Sequence, residues 1–279
     1  MRIIRRRAPA LAAAAGAAIL LAACSSGTPV TQVTGGDAAS AKITIGISFD
    51  QPGLGLKTGD NTYSGFDVDT AVYVAKQLGY ASGDIAWKRA DPGDRETLLM
   101  DGEVDLVFST YSITAARKQK VDFAGPYFVA HQDLLVRRND VITGPETLDG
   151  KTLCSVTGTT SADLVQKQFL GRITLVPATK FSDCVTSLVA GQVDAVTTDD
   201  VILAGFAAQP QYKGVLKVVG KGFSDENYGV GIKKDDTQLV SKVDAALKKY
   251  IDDGSWKASL DATVGPSGYA IPSPPTPGA

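Results

Sequence analysis

Three groups of polar residues stand where the sequence turns from an apolar run into a loop or a helix, and each suits one part of a zwitterion. Arg117 follows the hydroxyl-rich turn Ser109-Thr110-Tyr111-Ser112. Its rigid guanidinium fork can hold a carboxylate through two parallel hydrogen bonds, helped by the hydroxyl and amide of Ser112. Gly158-Thr159-Thr160-Ser161 precedes a helical pattern, where first-turn amides and the positive end of the helix dipole favour an anion. Asp199 follows the apolar run Val193 to Thr197 and can hold an ammonium. Together they would detect a small zwitterion, with its carboxylate between Arg117 and the Thr160 amide and its ammonium on Asp199. Taken singly, each also has a plainer role: a solvated arginine, a helix cap and a turn residue.

What joins the three is the way the chain must place them. Leu98 to Thr110 (LLMDGEVDLVFST) is echoed by Leu188 to Asp200 (LVAGQVDAVTTDD): the end of an apolar helix, a glycine turn, Val-Asp, a strand, then hydroxylated residues. The echo predicts two α/β lobes of similar build. Ligands of open α/β sheets bind beyond the carboxyl ends of strands, so a cleft between such lobes would bring the two hydroxyl clusters face to face.

Around this pair, Lys42 to Ile47 alternates as a first strand, and Phe49 to Ser64 reads as a glycine-rich loop. A helix opens at Gly65-Phe66-Asp67, with Asp67 or Asp69 as its cap. The chain is expected to cross between lobes near Tyr127 to His131 and to return near Asn227-Tyr228, which leaves the first lobe discontinuous.

The ends differ from this globular middle. Residues 1–23 combine four arginines, an apolar centre from Leu11 to Leu21 and small residues before Cys24, the layout of a secretory signal rather than of a spanning helix. Leu21-Ala22-Ala23-Cys24 is similar to the bacterial lipobox, which implies lipidation of Cys24 and anchoring to the outer face of the cell membrane. Residues 24–41 would then be a flexible tether. Loss of residues 1–23 removes four arginines and no acid, taking the net charge from -2 to -6 and arguing against nucleic acid as a partner. The proline-rich stretch at 266–279 is expected to form a tail without regular structure.

Cys154 and Cys184 form an even pair in an exported chain and are expected to be disulfide-bonded. One histidine, His131, and no Cys-x-x-Cys spacing leave no case for a metal site. No phosphate loop or dinucleotide fingerprint appears, and no serine, histidine and acid set can be assembled around His131, so neither a cofactor nor catalysis is expected.

Read in order, several motifs resemble the periplasmic amino-acid-binding proteins of ABC importers, the polar amino-acid group of extracellular solute-binding proteins, family 3. They are Phe49 to Lys57 (FDQPGLGLK), Gly65 to Asp69 (GFDVD), Asp94 to Arg117, Gly125-Pro126-Tyr127, Leu153 to Thr160 (LCSVTGTT), Val193 to Asp199 (VDAVTTD) and Tyr228 to Asp236 (YGVGIKKDD). Among these proteins the chain looks most like actinobacterial glutamate-binding lipoproteins.

The resemblance implies a type II two-lobed α/β fold, with lobe 1 at 42–128 and 228–265 and lobe 2 at 129–227. It places the ligand α-carboxylate on Arg117 and Ser112, the α-ammonium on the Thr110 carbonyl and Asp199, and a second-lobe amide at Thr160. Arg95 is the implied partner of an acidic side chain, with Lys57 a weaker candidate. Where many relatives stack an aromatic ring on the ligand, Gly53 or Leu54 and Pro92 stand here. The expected role is capture of L-glutamate, or a related polar amino acid, by a monomer that delivers it to ABC permease subunits. An amino-acid sensor reporting to a membrane protein, or a dehydratase-like enzyme on the same fold, are the alternatives.

Overall fold

A computed structural model describes residues 42–278. The leader, Cys24 and the tether lie outside the described residues. From the start, the chain forms β1 (Ile43–Ile47), β2 (Asp50–Gln51), β3 (Gly55–Gly59), β4 (Thr62–Ser64), α1 (Phe66–Gln77), β5 (Ile85–Arg89), α2 (Arg95–Met100), β6 (Leu106–Phe108), α3 (Ala115–Lys118) and β7 (Val121–Ala130). It continues through β8 (Gln132–Arg137), β9 (Thr152–Val156), α4 (Thr160–Gln168), β10 (Thr174–Ala178), α5 (Phe181–Val189), β11 (Ala195–Asp199), α6 (Asp200–Ala207) and β12 (Leu216–Val218). The last elements are β13 (Glu226–Lys233), α7 (Thr237–Asp252) and α8 (Ser255–Thr263).

Two five-stranded sheets repeat one plan. The first has the order β5-β1-β6-β13-β7 and the second β10-β9-β11-β8-β12. In each, the first three strands are parallel and the last two join antiparallel. The echoed segments supply the middle strands, β6 and β11, so the hydroxyl clusters leave equivalent places in the two sheets. Both middle strands are buried throughout, which fits their continuous apolar or hydroxylated character.

The chain passes from the first sheet to the second through one residue, His131, between β7 and β8. It returns between Val218 and Glu226, and β13 then pairs with β7 as far as Glu226 opposite Ala130. Tyr127 to Ala130, read from sequence as part of the crossing, is thus still strand. Pro126 hid it, because proline breaks a ladder; β7 tolerates proline because it is an edge strand. The expected loop Phe49 to Ser64 contains a small three-stranded sheet, β2-β3-β4.

The first sheet packs on an aromatic cluster centred on Phe66, whose ring lies 5.7 to 6.4 Å from those of Tyr127, Phe128, Tyr250 and Trp256. Trp256 keeps its indole N–H satisfied inside this core by donating to the Tyr127 carbonyl at 2.7 Å. Leu134, Val136, Leu153, Val165 and Phe169 form a separate core on the second sheet. Cys154 of β9 and Cys184 of α5 are disulfide-bonded across a sequence separation of 30, tying sheet to helix. Beyond α8 the described residues form no regular element after a 3-10 turn at Gly265–Ser267. It is nevertheless laid against the first sheet: Tyr269 packs 6.4 Å from Phe128, and the Gly278 amide donates to the Gly125 carbonyl at 2.9 Å.

Candidate functional site

The turn after β6 is anchored from below by a carboxylate that sequence reading missed. Thr110 has a left-handed backbone (φ 43), unusual for a residue with a branched side chain. Its amide donates to Asp67 Oδ2 at 2.9 Å, and the Tyr127 hydroxyl donates to Oδ1 at 2.7 Å. Asp67 therefore does not cap α1; Gly65 occupies the cap position with no side-chain bond, and Asp69 instead accepts from Ser259. Burial pushes the Asp67 carboxyl up to about 6 against the pull of Tyr127, Thr110 and Arg95. The Thr110 hydroxyl bonds the side-chain amide of Gln51, itself buried.

Two arginines stand over this turn. Arg95, the first residue of α2, is 2% exposed. It donates to the carbonyls of Pro92 (3.3 Å), Ser109 (2.9 Å) and Thr110 (3.4 Å). Arg117 sits on the short helix α3, capped by the Thr114 hydroxyl, and donates to the Ser112 carbonyl at 2.7 Å. Its Nε lies 3.6 Å from Glu96 Oε1. Both guanidinium groups lie over the buried ring of Tyr111, at 4.3 and 4.9 Å from its centroid, and the π face offsets part of their mutual repulsion. Burial first, and the neighbouring Arg117 second, hold the Arg95 guanidinium down at about 10. One arm of each fork reaches the same acceptor in the facing lobe, the Gly158 carbonyl, at 3.3 and 3.0 Å.

On that facing side, the Thr159 hydroxyl caps α4 by accepting from the Ala162 amide at 3.1 Å. Thr160, the next residue, donates its hydroxyl to Glu226 Oε2 at 2.9 Å. Asp199 ends β11 at 4% exposure. The Tyr228 hydroxyl donates to its Oδ2, while Oδ1 is buried with no hydrogen-bond partner. Burial, then the Glu226 carboxylate, raise the Asp199 carboxyl to about 8. The Ser161 hydroxyl is likewise buried without a partner.

Arg95, Thr110, Ser112, Arg117, Thr160 and Asp199 line one narrow cavity, joined by Pro92, Ser161, Phe181 and Thr198. Lys57 does not join them. It lies exposed on β3 with its ammonium 5.9 Å from the Phe49 ring, outside the cavity lining. Tyr111, Asp67, Tyr228 and Glu226 support the site and were not foreseen. Each is buried; Asp67, Tyr228 and Glu226 act on residues distant in sequence, so no local pattern signals them, while Tyr111 lies in the turn itself and gains its role only by burial beneath the two arginines.

The bacterial extracellular solute-binding proteins, family 3, match residues 43–265 as a family. The glutamate-binding protein GluB of Corynebacterium efficiens is 41% identical, over 97% of this chain and 94% of that protein. The ABC transporter glutamine-binding protein GlnH of Bacillus subtilis is 33% identical over 77% of this chain and 78% of its own length. Among solved structures, an ancestral arginine-binding protein bound to arginine superposes with a TM-score of 0.74 at 31% identity, covering 80% of this chain and 98% of that one.

Proposed function

Because the chain belongs to the bacterial extracellular solute-binding proteins, family 3, and is a binding protein rather than an enzyme, we propose that it captures L-glutamate between its two lobes. The observation that carries this reading is the pairing, in one cavity, of two guanidinium forks with a buried carboxylate oxygen that has no partner. An α-amino acid supplies complementary groups for both. Its α-carboxylate takes the Arg117 fork with the Ser112 and Thr160 backbone, and its ammonium satisfies Asp199 Oδ1 and the Thr110 carbonyl. A second carboxylate is what the second fork, on Arg95, would hold. The 41% identity to a glutamate-binding protein supports the same choice.

In this reading the lobes, 42–130 with 226–265 and 132–225, close over the ligand about His131 and the return segment. The ligand favours the closed form because it touches both lobes at once. The leader at 1–23, the lipid on Cys24 and the tether would hold a monomer at the outer face of the cell membrane, where it hands glutamate to ABC permease subunits. No helix among the described residues is long and apolar enough to cross a membrane.

A thermal-shift panel of the twenty amino acids tests the ligand, because binding to the folded form raises the melting temperature by mass action. L-glutamate should give the largest shift. A larger shift with arginine or glutamine would refute the assignment to glutamate.

A further inference from the structure

Away from the cavity, the small sheet of the first lobe touches two helices of the second, and both contacts have unusual chemistry. The cap position of helix α5 is Lys180, whose side chain makes no capping bond. The amide of Ser182, in its first turn, instead donates to Asp50 Oδ2 of β2 at 3.0 Å. A first-turn amide has no partner within its own helix, so this helix takes its cap from a residue 132 positions earlier, on the other lobe. Two residues after Asp50, the Pro52 carbonyl meets helix α6 at Gly205. A Cβ at 205 would lie 2.2 Å from the Pro52 oxygen, closer than any methyl group can come. Gly205 lies inside a helix with an ordinary helical backbone, where glycine is a poor choice and alanine the best. What its missing side chain serves is the approach of the other lobe.

We propose that Asp50 and Gly205 are affinity-determining residues outside the ligand cavity, which clasp the turn at Pro52 to helices α5 and α6 when the lobes close. This rests on the closure reading above. Because the clasp forms only in the closed arrangement, it stabilises that arrangement and slows ligand release without touching the ligand. Asp50 supplies the attraction, a carboxylate at the positive end of α5. Gly205 supplies the absence of a clash.

The test compares Gly205→Ala, Asp50→Ala and Asp50→Asn with the wild-type chain. Calorimetric L-glutamate affinity should fall at least tenfold in Gly205→Ala, while its ligand-free melting temperature stays the same or rises, since alanine suits the helix better. Asp50→Ala should bind several-fold more weakly, and Asp50→Asn, which keeps a capping oxygen, should restore most of the loss. At saturating L-glutamate, where the lobes are closed, hydrogen exchange of the Ser182 amide should speed up in Asp50→Ala and not in Asp50→Asn. Unchanged affinity in Gly205→Ala, or a lowered melting temperature with unchanged affinity, would mean static packing and overturn the proposal. Equal Ser182 exchange in all chains would do the same. If no amino acid stabilises the wild-type chain, the binding reading fails and takes the clasp with it, whereas L-glutamate binding that Gly205→Ala and Asp50→Ala leave intact overturns the clasp alone.

Discussion

The two walls of the cavity are built alike in topology and differ in how completely their buried carboxylates are satisfied. On the first-sheet wall, the arginines donate to backbone carbonyls, Arg117 is also ion-paired with Glu96, and Asp67 accepts from Thr110 and Tyr127. On the second-sheet wall, Asp199 keeps one oxygen without a partner, as does the Ser161 hydroxyl. Two buried aspartates make the contrast sharp. Asp67, with donors on both oxygens, is pushed up only to about 6, whereas Asp199, with one donor and Glu226 nearby, reaches about 8. A satisfied group organises structure. An unsatisfied buried group lowers stability and gains most from a ligand that completes it.

Breaking the organised wall should have the largest effect. Arg117→Ala removes the fork proposed to hold the ligand carboxylate and should weaken L-glutamate binding by about 3 to 5 kcal/mol, roughly a hundredfold or more, in calorimetry. Binding unchanged in that variant would separate Arg117 from the site altogether.

Relieving the unsatisfied wall should split binding from stability. Asp199→Asn is expected to weaken glutamate by about 2 kcal/mol while stabilising the ligand-free chain at neutral pH. The sign follows from protonation. The Asp199 carboxyl stands near 8 in the folded chain against an ordinary 3.8, so the folded state binds the extra proton between those values and stability falls as pH rises through that window. Asp67 adds the same slope only up to about 6. Melting curves of the ligand-free chain should therefore decline from pH 6 to 8, and Asp199→Asn should flatten that decline.

Smaller effects sharpen the comparison further. Tyr111→Leu removes the ring beneath both guanidinium groups and should cost about 1 kcal/mol of glutamate affinity, whereas Tyr111→Phe, which keeps the π face, should bind as the wild type does. Lys57→Ala, on the exposed strand β3, should change glutamate affinity less than twofold; a larger loss would bring Lys57 back into the site.

Much of this was legible beforehand where chemistry and position follow from neighbouring residues. The echo of Leu98 to Thr110 in Leu188 to Asp200 implies equivalent strands, and β6 and β11 take the same place in their sheets. The Ser/Thr clusters and Asp199 lie at strand ends because alternating and apolar runs mark where strands stop. The strand from Val121 to Ala130 was hidden by Gly125-Pro126, and the small sheet within 50–64 by its glycines, since local propensity is overruled when a strand can sit at an edge or be held by a partner.

The sequence by itself therefore determined which kinds of groups face a cleft: guanidinium forks, a helix start, and a carboxylate at the end of a strand. The tertiary structure decided their condition. Asp199 is left half-satisfied by Tyr228, 29 positions away, and Arg95 and Arg117 meet at a carbonyl of the opposite lobe. Burial and hydrogen-bond satisfaction depend on groups brought together only by folding, so the order of residues can name the participants but not which of them remains unpaired.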